Sequence, residues 1–249
     1  MRAVDQDLMR ATLEVDERHW WYRGRREVIR SELDSLPLPT PAEVLDAGCG
    51  SGRTMQELEA YGTVRGIELD EAAAEMARAR GHGDVAIGRL EQLPWPDATF
   101  DLITSLDVIE HTPDDREALA ELRRVCRPGG WLLVTVPAHQ ALWSGHDEAN
   151  HHYRRYSRSM LRSAAAGAGW SVTRITSFNS VLLAPAAAVR LARRRFPARN
   201  GAAEDLTIPP RWLNELLERP LRIEAGWLGR GHTLPLGLSL LAVLRRPGS

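Results

Sequence analysis

The chain has 249 residues, 33 of them acidic and 32 basic, and every basic residue is Arg because Lys is absent; without an amine that can shed its proton, Schiff-base catalysis, a pyridoxal anchor and a phosphate-loop or kinase lysine are excluded. With 43% hydrophobic and 26% charged residues, the composition is that of a folded protein of one large or two small domains, not of a disordered or fibrous one. The small net charge hides an asymmetry: residues 1–150 hold 28 acids and 16 Arg (net −12) and residues 151–249 hold 5 acids and 16 Arg (net +11), which suits either an anionic partner or mutual attraction of the two parts.

In chain order, residues 4–36 are expected to form one or two helices, interrupted by the cluster His19-Trp20-Trp21-Tyr22-Arg23-Gly24-Arg25-Arg26. Short apolar runs at 43–47, 63–68, 84–88, 100–105 and 130–136 then alternate with amphipathic stretches at 52–61, 71–80 and 114–126. That alternation predicts β-α-β units and a parallel sheet covered on both faces. Arg127-Pro128-Gly129-Gly130 is expected to end the last of these helices. A loop rich in His and aromatic residues (137–156) follows, then a helix (157–168), a strand (170–178), an Arg-bearing helix (180–195), an exposed linker (197–206), a helix (211–229) and a closing apolar run (236–244).

The most informative stretch is Val44-Leu45-Asp46-Ala47-Gly48-Cys49-Gly50-Ser51-Gly52, a buried strand running into a glycine turn that opens a helix. Glycines let backbone turn sharply and approach a ligand closely. A dinucleotide fingerprint needs G-x-G-x-x-G, but Arg53 stands at its third glycine, which disfavours a nicotinamide-dependent oxidoreductase. Twenty residues beyond Gly48, Glu68 ends the second strand, where a carboxylate can accept from both hydroxyls of a ribose.

These segments resemble the class I S-adenosylmethionine-dependent methyltransferases, particularly the ubiquinone and menaquinone methyltransferase-like branch. The resemblance covers about residues 40–178 and rests on Leu45–Gly52, Gly66-Ile67-Glu68-Leu69-Asp70, Gly88-Arg89-Leu90-Glu91-Gln92-Leu93-Pro94-Trp95, and Ser105-Leu106-Asp107-Val108-Ile109-Glu110-His111 with Arg127-Pro128-Gly129-Gly130-Trp131. It implies an α/β fold: a Rossmann-like seven-stranded sheet with an N-terminal helical lid (1–36), a cofactor-binding core (37–178), a helical insertion (179–234) and a closing strand (235–249). It implies S-adenosylmethionine as cofactor, with the methionine part over Gly48, Cys49, Gly50 and Gly52 and its ammonium near Asp46 and the Ser105, Leu106 and Asp107 region. Glu68 would take the ribose, with Leu69 and Leu90 on either side of the adenine. One position departs from the family pattern: Arg89 stands where an Asp usually accepts from the adenine amino group. Arg has no acceptor, so that contact falls to Glu91 or a backbone carbonyl. Tyr22 and Arg26 are expected near the methionine carboxylate.

Methyl transfer from a sulfonium is an in-line displacement that needs alignment, exclusion of water and, for many acceptors, a base. His111 follows the fourth strand at the carboxyl edge where open α/β sheets bind ligands. The loop after strand five packs His139, His146, His151 and His152 into 14 residues. We therefore take His111, His146 and His151 as candidate bases, and Trp143, Asp147, His152, Tyr153, Arg154 and Arg155 as candidate acceptor-binding residues. No spacing matches a recognised zinc motif, and no metal is expected. The expected acceptor is a small molecule, anionic or apolar, with O-methylation favoured over N- or C-methylation. The alternatives are a non-catalytic S-adenosylmethionine-binding or partner-docking module, and a methyltransferase for a lipid-linked anionic acceptor at a membrane surface. Residues 181–196, apolar and then Arg-rich, allow peripheral membrane contact. No module for nucleic acid is recognisable. Two cysteines, no run of the ~20 apolar residues needed to span a bilayer and no signal-peptide core lead us to expect a cytoplasmic protein.

Overall fold

The computed structural model describes residues 13–185, 188 and 207–248. Seven strands, β1 (Ala42–Ala47), β2 (Gly62–Glu68), β3 (Val85–Ile87), β4 (Phe100–Leu106), β5 (Cys126–Pro137), β6 (Ser171–Phe178) and β7 (Ser239–Arg245), form one sheet in the order β3-β2-β1-β4-β5-β7-β6. The β1–β2, β1–β4, β2–β3 and β4–β5 pairs are parallel. Gly129 and Gly130 at the start of β5 exchange hydrogen bonds with Arg246 just past the end of β7, and Leu238 N–H before β7 donates to Asn179 O after β6. Start therefore meets end on both sides of β7, and the sheet is mixed. This is the Rossmann-like seven-stranded sheet that the four motifs imply.

The helices are α1 (residues 13–18), α2 (Trp20–Leu33), α3 (Arg53–Leu58), α4 (Glu71–Ala79), α5 (Asp115–Val125), α6 (Gly145–Ala149), α7 (Arg158–Gly167) and α8 (Arg211–Leu228). Their starts follow ordinary capping chemistry, in which a short polar side chain accepts from an orphan amide of the first turn. Asp70 accepts from Ala73 N–H, Asp114 from Arg116 and Glu117 N–H, and Ser157 from Met160 N–H. Among the described residues, no helix is long and apolar enough to cross a membrane.

The chain divides into two compact units. The larger comprises 37–138, 153–176 and 240–249 and holds most of the sheet. Leu45, Ile67, Phe100, Ile103, Leu119, Leu132, Val134 and Tyr156 are fully or almost fully buried in its core. The smaller comprises 1–36, 139–152 and 177–239, so the histidine loop, expected inside the core span, clusters with the helical segments. Here α2 lies along α8: a Cβ on Gly24 would meet the Leu221 side chain at 2.4 Å, so the missing side chain is what permits this approach.

Two local expectations need correction. The segment Arg127–Gly130 does not close a helix into a turn, because α5 already ends at Val125 and the segment lies inside β5. The β4–β5 register shifts between Phe100 and Leu102, and Gly129, at φ +82°, bulges out to bond with Arg246. Local Pro-Gly-Gly chemistry predicts a turn, and a strand partner more than 100 residues away overrides it. The interruption expected over the cluster at 19–26 narrows to its first residue. The break is His19 alone, whose ring accepts from Trp21 N–H while Asn214 Oδ1 takes Trp20 N–H; Trp20 to Arg26 form the first two turns of α2. The helix expected at 180–195 and the linker at 197–206 lie mostly or wholly outside the described residues.

Candidate functional site

At the carboxyl end of β1 the chain must leave a buried strand and enter α3 within five residues. Gly48 (φ +87°), Gly50 (φ +54°) and Gly52 (φ +80°) all take left-handed backbone, which glycine adopts without the clash a Cβ introduces. At Gly48 space is also limiting, since a Cβ would stand 2.4 and 2.8 Å from the Val108 methyls; at Gly50 nothing lies within 4 Å. The loop is thus packed at its entry and open at its crest. Gly48 N–H and Cys49 N–H both donate to Ile67 O, at 2.8 and 3.1 Å.

Glu68, the last residue of β2, braces this loop. One carboxylate oxygen accepts from Gly50 N–H (2.9 Å), and the other accepts from Leu69 N–H (2.8 Å) and Asp70 N–H (2.9 Å). The oxygen facing Gly50 accepts from that amide alone and can take a further donor. Asp46, one strand over, is buried and accepts from Thr104 Oγ1 at 2.7 Å. Thr104 is a site residue that the sequence reading missed; the available signal was a hydroxyl inside an otherwise apolar strand.

At the end of β4, Ser105 is fully buried, and its hydroxyl has no hydrogen-bond partner among the described residues. Leu106 is buried, and Asp107 takes left-handed backbone at φ +59° while its N–H bonds Thr135 O. Leu90 belongs to the core, whereas Leu69 is 61% exposed. Glu91 pairs with Arg89 at 3.4 Å, and the Arg89 side chain is exposed. Burial pushes the Cys49 thiol far up, with the carboxylates Asp46 and Glu68 adding to it, so Cys49 is a packing residue and not a nucleophile.

The acceptor-side candidates divide between the two units. In the larger, His111 ends a short 3-10 turn (Ile109–His111) and is exposed. Tyr153 is exposed and its N–H bonds Glu110 O. Arg154 pairs with Asp115 at 3.2 Å and donates to Pro113 O. Arg155 is buried and donates to Ala138 O at 3.1 Å. Arg155 thus holds the chain at the end of β5, and Arg154 ties its segment to the start of α5. Tyr156, which the sequence reading passed over, donates to Asp115 at 2.7 Å, and burial followed by that carboxylate raises its phenol well above its ordinary value.

In the smaller unit, Asp147 on α6 is fully buried. Its Oδ2 accepts from Ser144 N–H and its Oδ1 stands 3.0 Å from His152 Nδ1. The same residue's carbonyl accepts from His152 N–H. The structure therefore joins Asp147 to His152. His151, at φ +56°, is exposed, and the His146 side chain lies outside the described residues. Trp143 is half-buried. At the N-terminus, Tyr22 meets the His19 ring edge-on and the Arg25 guanidinium at 5.6 Å. Arg26 is buried and donates to Asp16 O at 2.7 Å.

A glycine turn after β1, a braced carboxylate ending β2 and a buried serine near the end of β4, at one edge of a 3-2-1-4-5-7-6 sheet, define the class I methyltransferase architecture. The methyltransferase-domain family profile matches residues 45–134. A Mycolicibacterium smegmatis protein described as an S-adenosylmethionine-dependent methyltransferase is 34% identical over 160 residues, which cover 63% of this chain and 61% of the relative. The malonyl-acyl-carrier-protein O-methyltransferase of Enterobacter lignolyticus is 31% identical over 179 residues, covering 67% of this chain and 70% of that one. The chain belongs to the S-adenosylmethionine-dependent methyltransferase family. It spans about three-fifths of the length of its mycobacterial relatives, and the matches do not single out the quinone branch. Among solved structures, the methyltransferase component of a Haloferax volcanii complex with the Trm112 activator superposes with a TM-score of 0.61 at 22% identity, covering 96% of this chain and 94% of that one, which speaks for the fold.

The residues fit the family's cofactor. The loop crest at Gly50 has room for a ligand, Asp46 and Glu68 are acceptors for cationic or hydroxyl donors, and the Ser105 hydroxyl is a buried polar atom without a partner among the described residues.

Proposed function

We propose that this chain is an S-adenosylmethionine-dependent methyltransferase acting on a small-molecule acceptor, with a hydroxyl oxygen as the favoured methyl receiver. The observation that carries this reading is the brace of Glu68 on the Gly50 amide, which sets the two cofactor motifs in one rigid arrangement before any ligand arrives. When bound, the cofactor supplies a sulfonium methyl, which passes to the acceptor oxygen as the carbon–sulfur bond breaks and sulfur keeps the electron pair. The chain's own task is to hold, orient and deprotonate. Asp46 would hold the ammonium, Glu68 the ribose, and the Gly48–Gly52 backbone the methionine portion; Leu69 and Leu90 would flank the adenine, with Glu91 on its amino edge. Tyr22 and Arg26 remain proposed for the methionine carboxylate.

The acceptor proton must leave to a neutral His or a carboxylate, since no Arg can take it. His111, His146 and His151 are the proposed bases, and His152 is added to them because the buried Asp147 carboxylate on its Nδ1 fixes the tautomer and orientation of the ring. The test is incubation of the protein and methyl-labelled S-adenosylmethionine with extracts of its own host, followed by mass spectrometry. A labelled small molecule that disappears in the Glu68→Ala variant is expected; cofactor binding with no labelled product would refute the proposal.

A further inference from the structure

The helix α8 has two unlike faces. Asn214, Glu218, Leu221, Ala225 and Leu228 are buried, and this side lies along α2. Asn214 links the two helices directly, accepting from Trp20 N–H at 2.8 Å and donating to Arg18 O at 2.7 Å. The other side carries Trp212 (68% exposed), Leu216 (50%), Ile223 (74%) and Trp227 (45%). At about 100° per residue these four fall within a ~60° arc, and from Trp212 to Trp227 the stripe runs about 22 Å. Scattered exposed apolar residues need no explanation, but an aligned stripe with an indole at each end does.

The charges beside the stripe decide what can cover it. Arg211, Arg219, Arg222 and Arg230 are exposed along α8 and just past its end, and Glu215, paired with Arg211, is the one exposed acid of the helix. At the helical repeat Arg219 lies about 20° from the edge of the apolar arc, and Arg230 follows just past the helix end. A second copy of the same face would set arginine against arginine. Anionic lipid headgroups complement it instead, with indoles at the headgroup level and aliphatic side chains below. Val181 (61% exposed) and Leu236 (56%) enlarge the apolar area of the same unit. They sit beside the helix because Asn179 and Ser180 N–H donate to Glu224, and the Ser180 hydroxyl to Leu236 O.

We propose that the outer face of α8 docks the protein on an anionic phospholipid surface, inserting Trp212, Leu216, Ile223 and Trp227 at the headgroup boundary with the flanking arginines on the phosphates. The face is built by α8 itself and does not depend on the methyl-transfer reading. The experiment is co-sedimentation of the full chain with vesicles of phosphatidylglycerol and phosphatidylcholine in equal parts, and with vesicles of phosphatidylcholine alone. Binding to the mixed vesicles that weakens with salt, and little binding to the neutral ones, is expected. The double variant Trp212→Ala, Ile223→Ala should bind the mixed vesicles about tenfold or more weakly, and Arg219→Gln, Arg230→Gln should bind with a shallower salt dependence, with melting temperatures unchanged because all four side chains are exposed. The proposal is overturned by failure to sediment with the mixed vesicles, by binding of both variants as tight and as salt-dependent as that of the wild type, or by a dimer in sedimentation velocity that the Trp212→Ala, Ile223→Ala variant dissociates.

Discussion

Gly48→Ala tests the cofactor loop with the least chemical change, and its cost follows from two geometric facts. At φ +87° an alanine pays the left-handed penalty of roughly 1–2 kcal/mol. Its methyl would also stand 2.4 and 2.8 Å from the Val108 methyls, and forcing an extra methylene into packed surroundings costs about 1–3 kcal/mol. A total of about 3 kcal/mol corresponds to a fall in melting temperature of roughly 6–12 °C for a chain of this size. The two contributions can be separated, because Val108→Ala removes both clashing methyls and leaves the backbone strain. Calorimetric melting of the wild type, both single variants and the double variant should give a favourable coupling of about 1–3 kcal/mol between positions 48 and 108. Titration with S-adenosylmethionine should show at least a tenfold loss of affinity in Gly48→Ala, about 1.4 kcal/mol, because the shifted loop no longer presents its backbone. Strict additivity of the two substitutions, or a Gly48→Ala protein that melts and binds as the wild type does, would refute the reasoning.

Glu68→Gln turns one of two accepting oxygens into a donor that faces an amide hydrogen, so a destabilisation of about 1 kcal/mol and a loss of S-adenosylmethionine affinity larger than in Glu68→Asp are expected; calorimetry on both variants decides. Burial pushes the Cys126 thiol up to about 12 and the Cys49 thiol further, so an aromatic disulfide reagent at mildly alkaline pH should label neither in the native protein and both in denaturant; rapid native labelling would contradict the burial. The Glu121 carboxyl is held below its ordinary 4.5 by hydrogen bonds from Arg124. A depressed carboxyl stabilises the fold above its unfolded value and loses that contribution as pH falls through its folded value, so urea midpoints should decline below about pH 4.5 and less steeply in Arg124→Gln. The same substitution should loosen residues 93–97, because Arg124 donates to Leu93 O, Trp95 O and Asp97, which hydrogen exchange would register as faster amides there.

The parts of the protein legible in its sequence are those in which local chemistry and tertiary demand agree. Apolar runs at 43–47 and 100–105 have no other place than a buried sheet, and Gly48, Gly50 and Gly52 announce left-handed backbone because no other residue takes it cheaply. Glu68 was identifiable because it ends a strand at a fixed distance from the glycine turn, and the three amides it accepts from are all local to that turn and its own strand end.

What escaped is long-range. Arg127–Gly130 bears every local mark of a turn and is strand because Arg246 offers it backbone partners. Thr104 looks like a minor polar interruption until it meets Asp46 from the neighbouring strand. Arg154 and Arg155 look like anion ligands and are drawn inward by Asp115 and by the carbonyl of Ala138. Four histidines in one loop look equivalent, and only the fold of 139–152 selects His152 for Asp147. The amphipathic period of 211–228 predicts a helix, but it does not say which stripe is buried; contact with α2 leaves two tryptophans outside. By itself the sequence determined the sheet, the glycine turn and the lysine-free chemistry, because each follows from the short-range properties of a residue. The partners of individual charges and the exposed face of α8 were decided by tertiary structure, because a hydrogen bond or a buried face depends on which distant segment arrives to meet it.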